Sequence, residues 1–407
     1  MASMAHLSGQ AAIVGYGDAY SSPHEPLSPM NLAVTAALRC MKDAGVPRND
    51  IDGLLTGREP FGDYRAQWNM NFASELKLTP QFSTQVTLHS AGVNAMLKHA
   101  LLAVTSGAAD YVICVQSDGG MAYADLPRVV SLLDAQPEFE LPYGPSMTAL
   151  YAMVCRRYMH EYGVSLEDLA AACVAHQEWG RHHPEAENYS KGPITVEDVV
   201  GSREIASPLR EWMCSPSRRA GTAGAFLVTS AERAEDLDST PIYILGVGEA
   251  SGSEYLIDRL SLRGSHPLLG EQPTLTRTGA MSCVRDAYEM VGVSAADMQI
   301  VQSSSGYAHV SMMMLEDLGF CGKGEAADFI ADGHTLPGGS LPYNTNGGML
   351  SFGQSGVSCV MDGIMELVRQ LRGEALGLQV NCDIGLAHAV GGPLSCHSAV
   401  ILSGRQR

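Results

Sequence analysis

The residues best suited to chemistry in this chain lie in or beside a glycine-rich stretch at residues 338–356. Glycine and asparagine adopt backbone conformations with positive φ, and glycine lets the main chain approach a ligand closely. An acidic segment precedes the stretch and an apolar segment follows it, which predicts a junction between a strand and a helix. Such a junction offers backbone N–H groups and the positive end of a helix to an anion or a developing oxyanion.

The ten cysteines are scattered along the chain, with no Cys-x-x-Cys pair and no histidines at zinc-ligand spacing. We expect them to be mostly core thiols, because a free cysteine packs as a small apolar group. His182 and His183 are adjacent but have no third ligand in sight. The sequence therefore predicts no metal site.

The formal net charge of −18 argues against nucleic acid and anionic membrane surfaces as partners. A phosphate-bearing ligand would need a local basic patch, and Arg210, Arg218 and Arg219 form a small cluster in the sequence. This cluster is interpreted either as a phosphate contact or as an exposed polar face. No stretch approaches the roughly 18 apolar residues of a spanning helix, and residues 1–20 lack a signal-peptide pattern. We expect a cytoplasmic protein.

The elements that must position these residues occur twice along the chain. The strand pattern at 243–248 parallels that at 11–17, and residues 355–361 resemble residues 91–97, each opening an apolar helix that ends at a glycine. A helix without charged residues belongs inside a protein. We therefore predict two similar β/α halves that face one another, with two buried helices meeting at the centre.

The predicted halves are residues 1–238 and 239–407. Residues 121–210 interrupt the alternation of strands and helices in the first half with proline-rich connections and two long helical patterns, at 146–162 and 166–180. We predict that this segment is a cap inserted over an active site.

Four strings of residues make the chain resemble the thiolase superfamily, and more narrowly its lipid-transfer type. They are Asn-Thr-Asn-Gly-Gly at 344–348, Leu-Glu-Asp-Leu-Gly-Phe-Cys-Gly-Lys-Gly-Glu at 315–325, Arg-Gln-Leu-Arg-Gly at 369–373 and Gly-Gly-Pro-Leu-Ser at 391–395. The resemblance implies an α/β protein with a duplicated thiolase fold, that is, a five-layer αβαβα core with an inserted cap in the first half. It also implies acyl-CoA thioesters as ligands, a homodimer, and a small partner subunit with a zinc ribbon and an OB fold.

The catalytic motifs of that family are changed in this chain. The acyl-accepting Cys of thiolases, at the start of the first buried helix, is replaced by His89, which Ser90 follows. The motif whose Asn orients an oxyanion-hole water falls on residues 304–307, with Ser304 at its first position and Tyr307 at its last. Both motifs keep polar residues, although not those that thiolase chemistry uses.

The other two motifs are changed as well. The activating His of Gly-His-Pro corresponds to Gln354, and the Cys that serves as acid and base corresponds to His388. The nearest thiols in the sequence, Cys359 and Cys396, follow the glycine motifs. Acyl transfer through a thioester needs a thiolate that is activated by a base, so we do not expect ordinary thiolase chemistry.

The leading interpretation is an enzyme that makes or breaks a C–C bond near a thioester carbonyl, as the cysteine-free aldolases of this family do. A retro-aldol reaction needs a base for the β-hydroxyl group and an oxyanion hole for the enolate, but no covalent nucleophile. His388, Tyr307 and His89 are the candidate bases, and Gln354 is the candidate enolate contact. The tyrosines that such aldolases carry in the two middle motifs fall on Ser304 and Gln354.

Two alternatives stay open at this point. The chain can be a non-catalytic subunit that binds an acyl-CoA or lipid, or it can transfer acyl groups through Ser90. Ser90 also suits a helix cap, and His388 suits a hydrogen-bonded structural imidazole. In each case CoA is part of the substrate, and we expect no tightly bound cofactor.

Overall fold

The computed structural model describes residues 4–21, 27–58, 62–63, 65–119, 135–216, 221–252, 255–260, 265–266, 270–271 and 273–406. The first part of the predicted cap, together with Arg218 and Arg219, lies outside the described residues. Within the described ranges, no helix is long and apolar enough to cross a membrane.

In the first half, the strands are β1 (Ala11–Tyr20), β2 (Gly53–Thr56), β3 (Phe82–Gln85), β4 (Tyr111–Asp118), β5 (Glu204–Ala206), β6 (Leu209–Arg210) and β7 (Thr222–Ser230). The helices are α1 (Pro29–Ala44), α2 (Trp68–Leu76), α3 (Gly92–Thr105), α4 (Met147–Tyr162), α5 (Leu166–Gly180), α6 (Val196–Val200) and α7 (Ala231–Ala234).

In the second half, the strands are β8 (Ile242–Ser251), β9 (Ser265–His266), β10 (Gly270–Glu271), β11 (Val301–Ser303), β12 (Ile384–Gly391) and β13 (Cys396–Ser403). The helices are α8 (Leu256–Leu260), α9 (Ala280–Val291), α10 (Ala308–Asp317), α11 (Ala326–Ala331), α12 (Gly348–Phe352) and α13 (Cys359–Arg372).

Nine strands form one mixed sheet in the order β11-β12-β13-β8-β1-β7-β4-β2-β3. The two halves are joined where β1 pairs antiparallel with β8, through Ala12 with Tyr243 and Ile13 with Ile242. β3–β2–β4 and β11–β12 are parallel, as expected where helices cross over between strands.

The two apolar helices α3 and α13 lie between the two halves of this sheet. α3 packs on β4 and β7 of the first half and on β8, β12 and β13 of the second, and α13 packs on strands of both halves as well. Met96 and Leu97 of α3 and Met361 and Ile364 of α13 are at most 1% exposed. α1 covers the outer face of β1 and β7, and α9 covers that of β8 and β13. The described residues therefore form the layered α/β arrangement that the sequence predicts.

The same close packing of a helix on a strand occurs in each half. A Cβ on Gly17 of β1 would lie 2.3 Å from the Ala36 carbonyl oxygen of α1, and a Cβ on Gly248 of β8 would lie 1.8 Å from the Cys283 carbonyl oxygen of α9. Only glycine allows so short a separation. This agreement supports the predicted internal repeat, while the bounds 1–238 and 239–407 stay a prediction.

Two helices lie where the sequence predicts those of the cap. Ser146 caps α4, and Ser165 with Asp168 forms a capping box at the start of α5. α5 packs against α10, α11 and α12, and Nδ1 of His176 on α5 lies 3.1 Å from the Gly347 carbonyl oxygen. The second cap helix therefore holds the glycine-rich stretch in place.

Candidate active site

The glycine-rich stretch turns sharply at Gly347 and Gly348, where φ is 96° and 56°. A Cβ on Gly347 would lie 2.6 Å from Cα of Gly180 on α5, so the cap helix can approach only a glycine here. The N–H group of Gly348 donates to Oδ1 of Asn346, and that of Gln354 donates to the Pro216 carbonyl oxygen. The N–H groups at these two positions are therefore already used and are not available to an oxyanion.

A cavity lies between the end of β11, the middle of β12, the glycine-rich stretch and the start of α13. Its interior volume is about 30 Å³. Its polar lining residues are Asn94, Gln302, Ser303, Ser304, Asn344, Asn346, Asp362 and His388. Of the predicted site residues, the cavity therefore brings together Ser304 and His388.

Two buried amides present carbonyl oxygens in the lining of this cavity. Nδ2 of Asn94 donates to the Ala387 carbonyl oxygen at 3.1 Å, and Nε2 of Gln302 donates to the Thr345 hydroxyl at 2.8 Å. These bonds fix which amide atom is oxygen. Oδ1 of Asn94 and Oε1 of Gln302 have no hydrogen-bond partner among the described residues. Each is therefore available to accept a hydrogen bond from a bound molecule.

Asn344 presents a hydrogen-bond donor to the cavity, in contrast to the acceptor oxygens of Asn94 and Gln302. Its Oδ1 accepts the Ser303 N–H at 2.7 Å, which fixes the amide orientation. Its Nδ2 has no hydrogen-bond partner among the described residues, and the side chain is 2% exposed. Nδ2 of Asn344 is thus available to donate a hydrogen bond to a bound molecule, whereas the sequence predicts Gln354 and backbone N–H groups as the enolate contacts.

His388 lies on β12 with both ring nitrogens in contact with protein groups. Nδ1 is 3.0 Å from the Ser303 hydroxyl, and Nε2 is 3.3 Å from Nδ1 of His397. Burial, and then the neighbouring His397, lower the pKa of His388 well below its usual value. His388 is consequently neutral at pH 7, and its surroundings disfavour the protonated form.

His397 was not predicted from the sequence. It lies on β13, opposite Val390 of β12, so it is a diagonal neighbour of His388 on the same face of the hairpin. Burial and the charge of Arg259 lower the pKa of His397 to about 3, while the Leu394 backbone carbonyl raises it. The spacing of the two histidines about the Gly391-Gly392 turn is the sequence signal that could have paired them.

Ser304 follows β11 directly, and Gln354 lies in the glycine-rich stretch between α12 and α13. Oγ of Ser304 accepts the Val390 N–H at 3.0 Å, so its side chain ties β11 to β12. Oε1 of Gln354 accepts the Ser215 hydroxyl at 2.8 Å. Gln354 is not among the described residues that line the cavity, although its neighbour Gly353 is.

Tyr307 lies between the cap and the second half. Its hydroxyl is 3.2 Å from that of Thr148 on α4, and its ring stacks on Tyr151 at 4.5 Å between centroids. The Tyr151 hydroxyl donates to the Gly392 carbonyl oxygen at 2.7 Å. This tyrosine pair therefore connects the cap to the same turn that follows His388.

His89 has a φ of 45°, an uncommon conformation for a residue other than glycine and one that concentrates at functional sites. A Cβ on Gly391 would lie 2.8 Å from Cβ of His89 and 2.7 Å from Sγ of Cys396. The Cys396 thiol donates to the Leu88 carbonyl oxygen at 3.1 Å. The fold thus brings a thiol to the start of the first buried helix, where the sequence showed none nearby.

Ser90 is not the cap of that helix. α3 begins at Gly92, its N-cap residue is Ala91, and no side chain caps it. The helix-cap interpretation of Ser90 is wrong, because the helix begins one residue later than a cap at Ser90 would require.

The other sequence candidates lie apart from the cavity. Nη2 of Arg210 on β6 is 3.7 Å from the Glu204 carboxylate, so one member of the predicted phosphate cluster has an acidic neighbour. All ten cysteines are free and seven are buried, as expected for core thiols. Among the described residues, no group of three or more His, Cys, Asp or Glu is arranged to hold a metal ion.

Comparisons with known proteins define the class. The family model "Thiolase C-terminal domain-like" matches residues 263–404. The solved structure of an "Ltp2-ChsH2(DUF35) aldolase" superimposes with a TM-score of 0.80 and 29% identity, covering 98% of both chains. The fold and the second half are therefore those of thiolase-like proteins.

Two relatives define the family further. The chain is 36% identical over 393 residues to 17-hydroxy-3-oxo-4-pregnene-20-carboxyl-CoA lyase of Mycobacterium tuberculosis, covering 94% of this chain and 96% of the relative. It is 31% identical over 385 residues to acetyl-CoA acetyltransferase of Methanothermobacter thermautotrophicus, covering 94% and 96%. The chain belongs to the thiolase-like family of the lipid-transfer type, whose members make or break a C–C bond near a thioester carbonyl. Because the relatives are enzymes, a non-catalytic binding subunit is not favoured.

Proposed function

We propose that this enzyme is an aldolase that cleaves the Cα–Cβ bond of a β-hydroxyacyl-CoA without a cysteine nucleophile. The observation that carries the proposal is the neutral imidazole of His388 in the lining of a polar cavity, and the expected replacement of the family's acyl-accepting Cys by His89 agrees with it. The lyase relative and the aldolase neighbour support it.

The reaction balances without a cofactor. A base removes the β-hydroxyl proton, a carbonyl forms at Cβ, and the electron pair of the Cα–Cβ bond moves into the thioester enolate. The ketone or aldehyde leaves, and the enolate takes the proton at Cα to give a shorter acyl-CoA. His388 supplies the base, and the unpaired Nδ2 of Asn344 donates to the enolate oxygen.

The remaining predicted residues surround this centre. His89 lies at the Gly391-Gly392 turn, and Tyr307 is linked to that turn through Tyr151; both are assigned to the part of the substrate that leaves. Gln354, held by Ser215, contacts the thioester side, while Ser304 keeps the two strands together. Ser90 follows His89 at the same edge.

We assign a bulky polycyclic acyl portion to the substrate, because the lyase relative is named for a pregnene carboxyl-CoA. Arg210, Arg218 and Arg219 are assigned to the CoA phosphates, since they form a basic cluster in a chain with a net charge of −18. CoA enters only as part of the substrate, with no tightly bound cofactor.

A homodimer that works with a small zinc-ribbon and OB-fold subunit is the proposed assembly. The name of the aldolase neighbour includes a second component, ChsH2(DUF35). The cytoplasm is the proposed compartment, because all ten cysteines are free and free thiols persist in reducing surroundings. Co-purification from the native source that gives only self-association would contradict the partner subunit.

Acyl transfer is the second candidate. It is favoured by the position of the Cys396 thiol at the start of the first buried helix, next to His89. It requires a covalent acyl-enzyme on Cys396 or Ser90, whereas the aldolase needs none.

The test is turnover of a verified β-hydroxyacyl-CoA by two single variants. His388→Ala should lower kcat at least about 100-fold, as loss of a general base does, and Gln354→Ala should lower it about tenfold. His160→Ala, an exposed residue of α4, is the control and should stay within about twofold. If both variants kept wild-type turnover, the assignment of the site would be wrong.

A further inference from the structure

Neither ring nitrogen of His388 can contact a substrate unless its present protein contact is broken. Nδ1 faces the Ser303 hydroxyl at 3.0 Å, and Nε2 faces His397 at 3.3 Å. All three side chains are at most 7% exposed. A proton from the cavity must therefore reach the imidazole through one of its neighbours.

Ser303 is the neighbour that lines the cavity. It is the last residue of β11 and the register partner of His388 in the parallel pairing of β11 with β12. Its N–H donates to Oδ1 of Asn344, so the main chain that carries the hydroxyl is held by the same residue that offers a donor to the enolate.

We propose that Ser303, His388 and His397 form a proton relay for the aldol cleavage. In the forward step, Oγ of Ser303 accepts the β-hydroxyl proton while its own proton passes to Nδ1 of His388. In the return step, Nδ1 gives that proton back to Ser303, which hands its other proton to the enolate. No net proton is consumed. The relay rests on the proposed function and makes Ser303 a catalytic residue and His397 a positioning residue.

The direction of the hydrogen bonds follows from this role. Ser303 must donate to Nδ1 of His388, and Nε2–H of His388 must then donate to Nδ1 of His397, so both imidazoles carry their proton on Nε2. The bond from Nε2–H of His388 to Nδ1 of His397 fixes the orientation of the His388 ring, which makes His397 a positioning residue. The charged groups nearby are Arg259, which lies close enough to His397 to lower its pKa, and Asp362, which lines the cavity.

The chain contains a matched control pair. The Ser311 hydroxyl lies 2.7 Å from Nε2 of His176, and both side chains are at most 3% exposed. Ser311→Ala therefore removes a buried hydroxyl from a buried imidazole in the same way as Ser303→Ala, but away from the cavity that Ser303 lines.

The experiment measures the cleavage kinetics of β-hydroxyacyl-CoAs with wild type and with these two variants. Ser303→Ala should lower kcat about 100-fold with KM within about threefold, because the relay loses its first member. Ser311→Ala should keep kcat within about threefold of wild type. His397→Asn, which keeps an acceptor for Nε2–H of His388, should retain at least about ten times the kcat of His397→Leu.

The outcomes separate the relay from the function. Cleavage by Ser303→Ala within about threefold of wild type would overturn the relay and leave the aldolase intact. If the wild-type protein cleaved none of the β-hydroxyacyl-CoAs tested, both the aldolase function and the relay would be wrong. Imidazole ¹⁵N spectra of wild type need no variant to fold, and a proton found on Nδ1 of His388 instead of Nε2 would also overturn the relay.

Discussion

Nε2 of His388 lies 3.3 Å from Nδ1 of His397 across the hairpin of β12 and β13. Two imidazoles so close in a buried site disfavour each other's protonation, and burial acts in the same direction. The pair is therefore neutral at physiological pH, which sets how activity and stability respond to acid.

Activity should be insensitive to mild acid. A base whose pKa is lowered stays unprotonated until the pH falls below that lowered value, so the acid limb of kcat should lie well below the ordinary histidine value of about 6.5. Single-turnover rates from about pH 8 to about pH 5 measure this. An acid limb with an apparent pKa near about 6.5 would show that another group is the base.

Stability should fall in acid well before activity does. Burial lowers the pKa of His176 to about 4 and those of His309 and His397 to about 3, and it lowers that of His388 as well. Below about pH 6 the unfolded chain binds these protons and the native state does not, so stability is lost as the pH falls. The free energy of unfolding should drop by about 4 kcal/mol between about pH 6 and about pH 5. Denaturant titrations that showed no dependence on pH in this range would contradict the account.

Replacement of His309 should cost little. Neither of its ring nitrogens has a hydrogen-bond partner among the described residues, and the ring lies near both Tyr151 and Tyr307. His309→Leu should leave the free energy of unfolding at about pH 7 unchanged or raise it by up to about 1 kcal/mol. The matched control is His176→Leu, which leaves the Ser311 hydroxyl without its imidazole partner and should lower the free energy of unfolding by about 2 kcal/mol. Equal losses in the two variants, read from denaturant midpoints, would refute this distinction.

Gly248 should not tolerate a side chain. A Cβ there would lie 1.8 Å from a main-chain carbonyl oxygen of α9, so strand and helix must separate. Gly248→Ala should lower the free energy of unfolding by about 3 kcal/mol. Gly363 of α13 has only an ordinary contact at 3.7 Å, so Gly363→Ala should raise stability by about 0.5–1 kcal/mol through helix propensity. A Gly248→Ala protein as stable as wild type would mean that the close packing of β8 and α9 is not real.

Much of the fold could be predicted from the sequence because local signals agreed with the global repeat. The serines before α4 and α5 and the glycines after α1 and α9 mark helix ends directly. The repeated order of strands and helices indicated two similar halves, whereas the five layers were implied by the resemblance to the thiolase superfamily.

The site was less predictable, because its contacts join residues distant in sequence. His388 lies beside a cavity, as expected for a catalytic group. Its partners Ser303 and His397 were missed, since each lies on a different strand and only the pairing of β11, β12 and β13 brings them together. The position of Cys396 against Leu88 was missed for the same reason.

The central claim is carbon–carbon cleavage without a covalent intermediate. It is tested most directly by mass spectrometry of the intact protein and of the products after incubation with matched panels of β-hydroxyacyl-CoAs and β-ketoacyl-CoAs. We expect a shorter acyl-CoA and a ketone or aldehyde from a β-hydroxyacyl-CoA, with the protein mass unchanged throughout. A stable acyl adduct on the protein, with cleavage of β-ketoacyl-CoAs instead, would contradict the account and establish acyl transfer.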